Sequence, residues 1–191
     1  TSITISGLVT GIAFVHYMYM REVWVSTGTS PTVFRYIDWL LTVPLLMVEF
    51  YFILSAVKKV SSGIFWRLLI GTLVMLIGGY LGEAGYMNIT AGFVIGMAGW
   101  IYILYEVFSG EAGKEAAKLR GPAADCFNFC KWIVTLGWSV YPLGYLFGYM
   151  IGGTDEAALN QIYNLADFIN KILFGLVIYQ TAKSLTPASQ K

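Results

Sequence analysis

Six apolar runs, each long enough to become a membrane-crossing helix with slight extension, limit what this chain can fold into: Ile3 to Tyr19, Thr32 to Val57, Leu68 to Gly82, Ile89 to Tyr105, Trp132 to Ile151 and Ala157 to Ala182. A helix needs about 20 apolar residues to cross a bilayer, and in lipid its backbone satisfies its own polar groups. Charged residues make up 12% of the 191 positions, against roughly 25% in soluble domains, so neither a soluble globule nor a disordered chain is compatible with the composition. The runs are continuous rather than alternating, which excludes a β-barrel. The expected fold is all-α, a single helical bundle over residues 1–191 that is embedded in the membrane and partnered by lipid. Basic and acidic residues nearly cancel, 12 against 11, so no nucleic-acid surface is expected.

The connections are polarised. Lys58, Lys59, Arg67, Lys114, Lys118, Arg120, Lys183 and Lys191 fall on one side; Arg21 with Glu22, the Tyr86 to Ile89 turn, and Asp155 with Glu156 fall on the other. The positive-inside rule places the first set in the cytoplasm, and six spans put both chain ends there. Thr1 leads straight into an apolar run without the basic start of a signal peptide, so the N-terminus is expected to be incomplete through processing or truncation. Asn88-Ile89-Thr90 matches a glycosylation sequon, but so short a turn makes coincidence the better reading. Cys126 and Cys130 are four apart on one helix face; with one His and no second Cys pair, they read as packing residues and not as a zinc site. Glycines at four-residue spacing, such as Gly78 with Gly82 and Gly144 with Gly148 and Gly152, suit close helix packing in lipid.

Ionisable groups inside a bilayer are costly and mark function. Arg35, Asp38 and Glu49 lie in the second run, Asp167 and Lys171 in the sixth, and His16 in the first. Arg35, Glu83 and Glu106 are near run ends, where snorkelling excuses them; Lys171 is central and has no such excuse. Asp167 and Lys171 share a face at four-residue spacing. Asp38 and Glu49, eleven apart, share a face to within about 20° and are separated by roughly 16 Å along the axis. The resulting axis has one central amine, with Asp38, Asp167, Arg35 and His16 toward the exterior and Glu49 toward the cytoplasm. A buried ion-pair cluster that only fixes helix register is the plainer alternative, but Glu49 has no basic partner at its depth. A lone carboxyl in apolar surroundings keeps its proton, the state a proton donor needs. A buried amine is a nucleophile for an aldehyde, and Trp39, Trp100, Trp138, Tyr141, Tyr145 and Tyr163 supply aromatic walls for a flat, apolar, conjugated one.

At these residues the chain resembles the microbial rhodopsins, closest to their proteorhodopsin group. Arg35-Tyr36-Ile37-Asp38-Trp39-Leu40-Leu41-Thr42-Val43-Pro44-Leu45 is similar to the family's third helix, and Leu165 to Gly175 to its retinal-bearing seventh. Gly137-Trp138-Ser139-Val140-Tyr141-Pro142 is similar to its sixth, and Ser6 to Arg21 to its second. The resemblance implies all-trans retinal carried on Lys171 as a protonated Schiff base. It implies Asp38 as counterion and proton acceptor, Asp167 as second counterion, Glu49 as cytoplasmic proton donor, His16 as partner of Asp38, and Arg35 on the exit side. Trp39, Thr42, Leu46, Met75, Trp138, Tyr141 and Pro142 are implied to line the pocket, with Leu46 indicating the green-absorbing type. Asp38, Thr42 and Glu49 match the proton-pump signature, which makes a light-driven outward proton pump the leading expectation; a photosensor signalling through a partner protein is the alternative. The family further implies a multi-pass protein of the cell inner membrane, assembled as a homo-oligomer of five or six copies. It has seven helices where this chain shows six, the counterpart of the first being absent.

Overall fold

The computed structural model describes residues 1–152 and 154–186; Lys191 lies outside them. Its helices are α1 (Ser2–Thr27), α2 (Thr32–Ser55), α3 (Gly63–Glu83), α4 (Ile89–Phe108), the short α5 (Glu111–Ala116), α6 (Pro122–Trp132), α7 (Val140–Tyr145) and α8 (Glu156–Leu185). Two wider π-helical turns, Ile133–Gly137 and Leu146–Met150, follow α6 and α7. Among the described residues every element is helical, as expected. Five helical stretches are long and apolar enough to cross a membrane, and the composite of α6, α7 and their π turns forms the sixth rod.

Local chemistry sets several ends. Gly28 takes the left-handed conformation at φ 69° and its N–H closes α1 on the Trp24 carbonyl at 2.8 Å, a conformation available to glycine without side-chain penalty. The Asn88 side chain accepts from the N–H groups of Thr90 and Ala91 and so caps α4; the apparent sequon is a helix start. Asp155 caps α8 by accepting from Ala158 N–H at 2.9 Å.

Two boundaries differ from the sequence expectation. The fifth span begins at Pro122, ten residues before Trp132, because Pro122 opens a helix whose apolar face carries Ala123, Cys126, Phe127 and Cys130 into the core. The two cysteines are buried and unpaired. The first span continues past Tyr19 to Thr27, so Arg21 and Glu22 sit in the last turns of α1 and not in a loop. Snorkelling also fails to describe Arg35 and Glu106, which are 0% and 2% exposed; each is buried with polar partners.

The rods close a ring. α1 packs on α2, α2 on α3, α3 on α4, α4 on the composite sixth rod, and α8 on both that rod and α1. α2 also meets α6, and its buried residues run from Arg35 to Leu54, which makes it the rod best placed to carry central chemistry. α3 and α4 touch backbone to backbone. A Cβ on Gly92 would stand 2.6 Å from Gly82 Cα and 2.9 Å from Gly78 O, so the Gly78 and Gly82 spacing serves a real helix contact.

The expected basic side is one end of the bundle. There Arg67 bonds Glu106 at 3.1 Å and Glu111 at 2.5 Å, and Lys58 and Lys118 both pair with Glu115. The two lysines hold the half-buried Glu115 carboxyl below its ordinary range. These pairs tie α5 to α3 and to the end of α2.

Gly92→Ala is expected to destabilise the protein by about 1–3 kcal/mol, because a backbone contact must open. Gly7→Ala, with nothing within 4 Å of its added methyl, is the matched control and is expected to be neutral or slightly stabilising. Thermal unfolding in detergent compares the two.

Candidate functional site

The site grows from one amine. Lys171 sits in the middle of α8 and is 4% exposed. Its Nζ donates to Asp38 Oδ2 and to Asp167 Oδ2, each at 2.5 Å. Asp167 comes from the preceding turn of the same helix, and Asp38 crosses from α2. Two carboxylates against one buried ammonium leave one surplus negative charge, and burial forbids water from screening it.

The two carboxylates are not equivalent. Asp167 also accepts from Tyr17 OH at 2.7 Å and from Tyr141 OH at 3.1 Å, so both oxygens are hydrogen-bonded. Asp38 Oδ1 has no hydrogen-bond partner; what faces it is His16 Nδ1 at 3.5 Å. That same nitrogen lies 3.1 Å from the Ile12 carbonyl. Both neighbours are acceptors, which assigns the proton to Nδ1. Asp38 is therefore the carboxylate with a free oxygen to receive a proton, and His16 leans on that oxygen.

One turn from Asp38, away from the basic end, Arg35 is completely buried. Its guanidinium bonds Asn160 Oδ1 and Ser30 Oγ, the latter at 3.2 Å, and lies 5.2 Å from the Tyr163 ring centroid. On the basic-end side of Lys171 the surroundings change. Phe50 packs on Phe127 at 5.0 Å and on Phe174 at 6.0 Å between ring centroids. Beside this apolar plug Glu49 is fully buried, and neither of its oxygens has a hydrogen-bond partner.

From Lys171 a pocket extends between the helices. Trp39, Leu46, Met75, Trp138, Tyr141 and Pro142 line it. Thr42 is buried one turn from Asp38, and its hydroxyl donates to the Asp38 carbonyl at 2.9 Å. Trp39 meets Tyr141 at 5.1 Å and Tyr163 at 5.9 Å. The π turns fall on either side of Tyr141 and Pro142: Trp138 N–H reaches Ile133 O at 3.1 Å and Ile151 N–H reaches Leu146 O at 2.9 Å, each five residues back. Such wide turns re-aim side chains and gather at functional sites.

Sequence reasoning missed four participants. Tyr17 was hidden because its neighbour His16 carried the polar signal on the same turn. Asn170, which donates to Gly137 O at 3.0 Å and Tyr141 OH at 3.4 Å, and Asn160 are uncharged and so raise no cost alarm. Glu83, near a helix end, looked like a surface carboxylate; it accepts instead from Tyr149 and Tyr36.

Residues 1–185 match the model of the bacteriorhodopsin-like protein family. The chain is 57% identical over 184 residues to the green-light absorbing proteorhodopsin of Gamma-proteobacterium EBAC31A08, covering 95% of this chain and 74% of that one. It is 56% identical to the blue-light absorbing proteorhodopsin of Gamma-proteobacterium Hot 75m4, over 95% and 73%. Among solved structures, the blue light-absorbing proteorhodopsin from Med12 superposes with a TM-score of 0.83 at 50% identity, covering 97% of this chain and 84% of that one. Exiguobacterium sibiricum rhodopsin does so with 0.81 at 34% identity, over 96% and 83%.

Lys171→Met alone is expected to cost about 3–5 kcal/mol, because it strands buried carboxylates. Adding Asp38→Asn and Asp167→Asn to it is expected to restore most of that loss. Unfolding midpoints of the single and triple variants, both without chromophore, test whether the centre is a charge-balanced unit.

Proposed function

The chain belongs to the bacteriorhodopsin-like family, and on that premise we propose that it binds all-trans retinal at Lys171 and works as a light-driven outward proton pump of the cell inner membrane. The observation that carries the reading is the arrangement along the bundle axis: a buried amine at the end of an aromatic pocket, an acceptor carboxylate on one side and an isolated carboxyl on the other. The pocket fits the chromophore by its lining, apolar and aromatic along its length with Lys171 and Asp167 at one end. Joined to Lys171 Nζ, retinal supplies the absorption of visible light and the change in the nitrogen's basicity that follows.

The chain's own residues do the rest. Asp38 takes the proton from the Lys171 nitrogen, since it lies in hydrogen-bond contact and has an oxygen free of other donors. Asp167, held by Tyr17 and Tyr141, keeps negative charge beside the nitrogen throughout. Glu49, buried on the basic-end side with neither oxygen in a hydrogen bond, holds a proton and returns it to the nitrogen through the Phe50, Phe127 and Phe174 layer. That layer keeps bulk water from supplying the proton directly. Arg35 guards the far side. With the basic end in the cytoplasm by the positive-inside rule, acceptor and donor are ordered so that protons leave the cell, and the C-terminus is cytoplasmic. Leu46 in the wall fits the green-absorbing type. A homo-oligomer of five or six copies is part of this reading by resemblance, and the mass of the detergent-solubilised complex tests it.

Retinal-loaded protein is expected to absorb visible light, and cells carrying it to acidify their medium under illumination, with the signal abolished by a protonophore. A coloured protein without acidification points to a photosensor. Lys171→Ala is expected to be colourless, since no other lysine lies at that depth. Asp38→Asn is expected to show at neutral pH the red-shifted band that acid produces in the intact protein, and His16→Ala to move the midpoint of that acid transition, because the imidazole faces the Asp38 carboxyl at 3.5 Å.

Glu49→Gln keeps volume and colour but removes the internal proton source. Return of the proton to the Lys171 nitrogen then depends on bulk protons, so the deprotonated state is expected to live longer and to decay more slowly as pH rises. Flash spectroscopy across a pH series reads this directly; decay identical to that of the intact protein at every pH removes Glu49 from the donor role.

A further inference from the structure

The wide turn Ile133–Gly137 frees backbone carbonyls from their usual partners, and side chains of two other rods take them up. In a regular helix Val134 O accepts from Trp138 N–H and Gly137 O from Tyr141 N–H, each four residues on. Here Trp138 N–H goes to Ile133 O and Tyr141 N–H to Trp138 O, both at 3.1 Å. Trp100 Nε1, from α4, donates to Val134 O at 3.0 Å, and Asn170 Nδ2, from α8, donates to Gly137 O at 3.0 Å. A buried carbonyl without a donor is costly, so these two bonds support the turn, and both donors border the central pocket.

Asn170 differs from Trp100 in what else it holds. It precedes Lys171 in α8 and is 6% exposed. Its Nδ2 also lies 3.4 Å from the Tyr141 hydroxyl, which donates to Asp167 Oδ1 at 3.1 Å. The amide thus joins the backbone of the sixth rod to a phenol that bonds one of the two central carboxylates. A hydroxyl that accepts a hydrogen bond becomes a stronger donor itself. The fit is close. A Cβ on Gly137 would press on Asn170 Oδ1 and stand 2.9 Å from its Cγ, so a side chain there displaces the amide.

We propose that Asn170 is a positioning residue that, braced on the Gly137 carbonyl, sets the Tyr141 hydroxyl on Asp167 and so directs the proton of the Lys171 nitrogen to Asp38 alone. The inference deepens the pump reading and rests on it. One proton leaves the nitrogen and one arrives on Asp38, while Asp167 begins and ends as a carboxylate. Distance does not make this choice, since both carboxylates meet Nζ at 2.5 Å. The bonds from Tyr17 and Tyr141 to Asp167 do, and Asn170 holds the second of them from behind. The wide turn of the sixth rod thereby enters the selection of the acceptor.

Two measurements test it, one with chromophore and one without. Asn170→Leu keeps the size of the side chain and removes the amide. In the retinal-loaded variant, light-minus-dark infrared spectra of the state with a deprotonated nitrogen are expected to show a second protonated-carboxyl band beside that of Asp38, absent from the intact protein and removed by adding Asp167→Asn. A tyrosine band that Tyr141→Phe abolishes is expected to shift as well. A single carboxyl band with an unshifted tyrosine band overturns the proposal. Without chromophore the brace is read as a coupling between two positions. Gly137→Ala is expected to lower the unfolding midpoint of the otherwise intact protein by several degrees, and by much less in an Asn170→Ala background, where the added methyl has room. Equal losses in the two backgrounds overturn the brace. Should Asn170→Leu fail to fold, retinal-loaded Gly137→Ala keeps the amide but displaces it and is expected to give the same two infrared changes; spectra identical to those of the intact protein overturn the proposal equally. If the intact protein shows no light-driven acidification, the pump reading fails and takes the selection of the acceptor with it, whatever the coupling shows.

Discussion

One ammonium held between two carboxylates inside an apolar bundle is the constraint from which the rest of the structure follows. Lys171, Asp38 and Asp167 are each at most 4% exposed, so their charges cannot be left to solvent. Three groups on two helices carry a net negative charge, and the bundle answers with dipoles aimed at it: the Tyr17 and Tyr141 hydroxyls on Asp167 and the imidazole of His16 at Asp38. Buried pairs of this kind add little to stability by themselves. Their retention is understandable if the centre is meant to be unbalanced and restored, which is what a change in the basicity of the Lys171 nitrogen does.

The scaffold makes that possible by being stiff where the centre needs support and irregular where it needs shape. α3 and α4 are locked through glycine contacts at backbone distance, and the ion pairs around Arg67 and Glu115 hold the basic end. The sixth rod is the opposite. Its two π turns and Pro142 interrupt regular hydrogen bonding beside Trp138 and Tyr141, the residues against the pocket. A regular helix there would present a different stripe of side chains, and Tyr141 reaches Asp167 only because this segment is re-aimed.

Much of this was legible in the chain because membrane burial makes polarity expensive. A lysine in the centre of a 26-residue apolar run has few bland explanations, and the spacing of Asp167 to Lys171 and of Asp38 to Glu49 places the axis before any coordinates exist. What escaped notice did so for physical reasons. Hydroxyls and amides cost less to bury than charges, so Tyr17, Asn160 and Asn170 gave no signal. The resemblance singled out Thr42, and the bond from its hydroxyl to the Asp38 carbonyl could be read only from coordinates. The early start of the sixth rod was obscured because α6 has one apolar face and carries Asp125, Asn128 and Lys131 on the others. Run-based reading finds helices that are apolar all round more readily than amphipathic ones.

Glu49 and Glu83 show how the same side chain is given two different settings by its neighbours. Neither oxygen of the buried Glu49 has a hydrogen-bond partner, and apolar packing and aromatic rings lie beside it. Around Glu83 there are two phenols and a threonine, so both of its oxygens are engaged. Between them Lys171 donates to Asp38, on the side away from Glu49. Hydrogen-bond donors are thus unevenly spread along the axis, few at the basic end and many at the other. On the proposed pump reading, that asymmetry is what would order acceptor and donor about the Lys171 nitrogen, and transport would need only that the nitrogen's access alternate between the two sides.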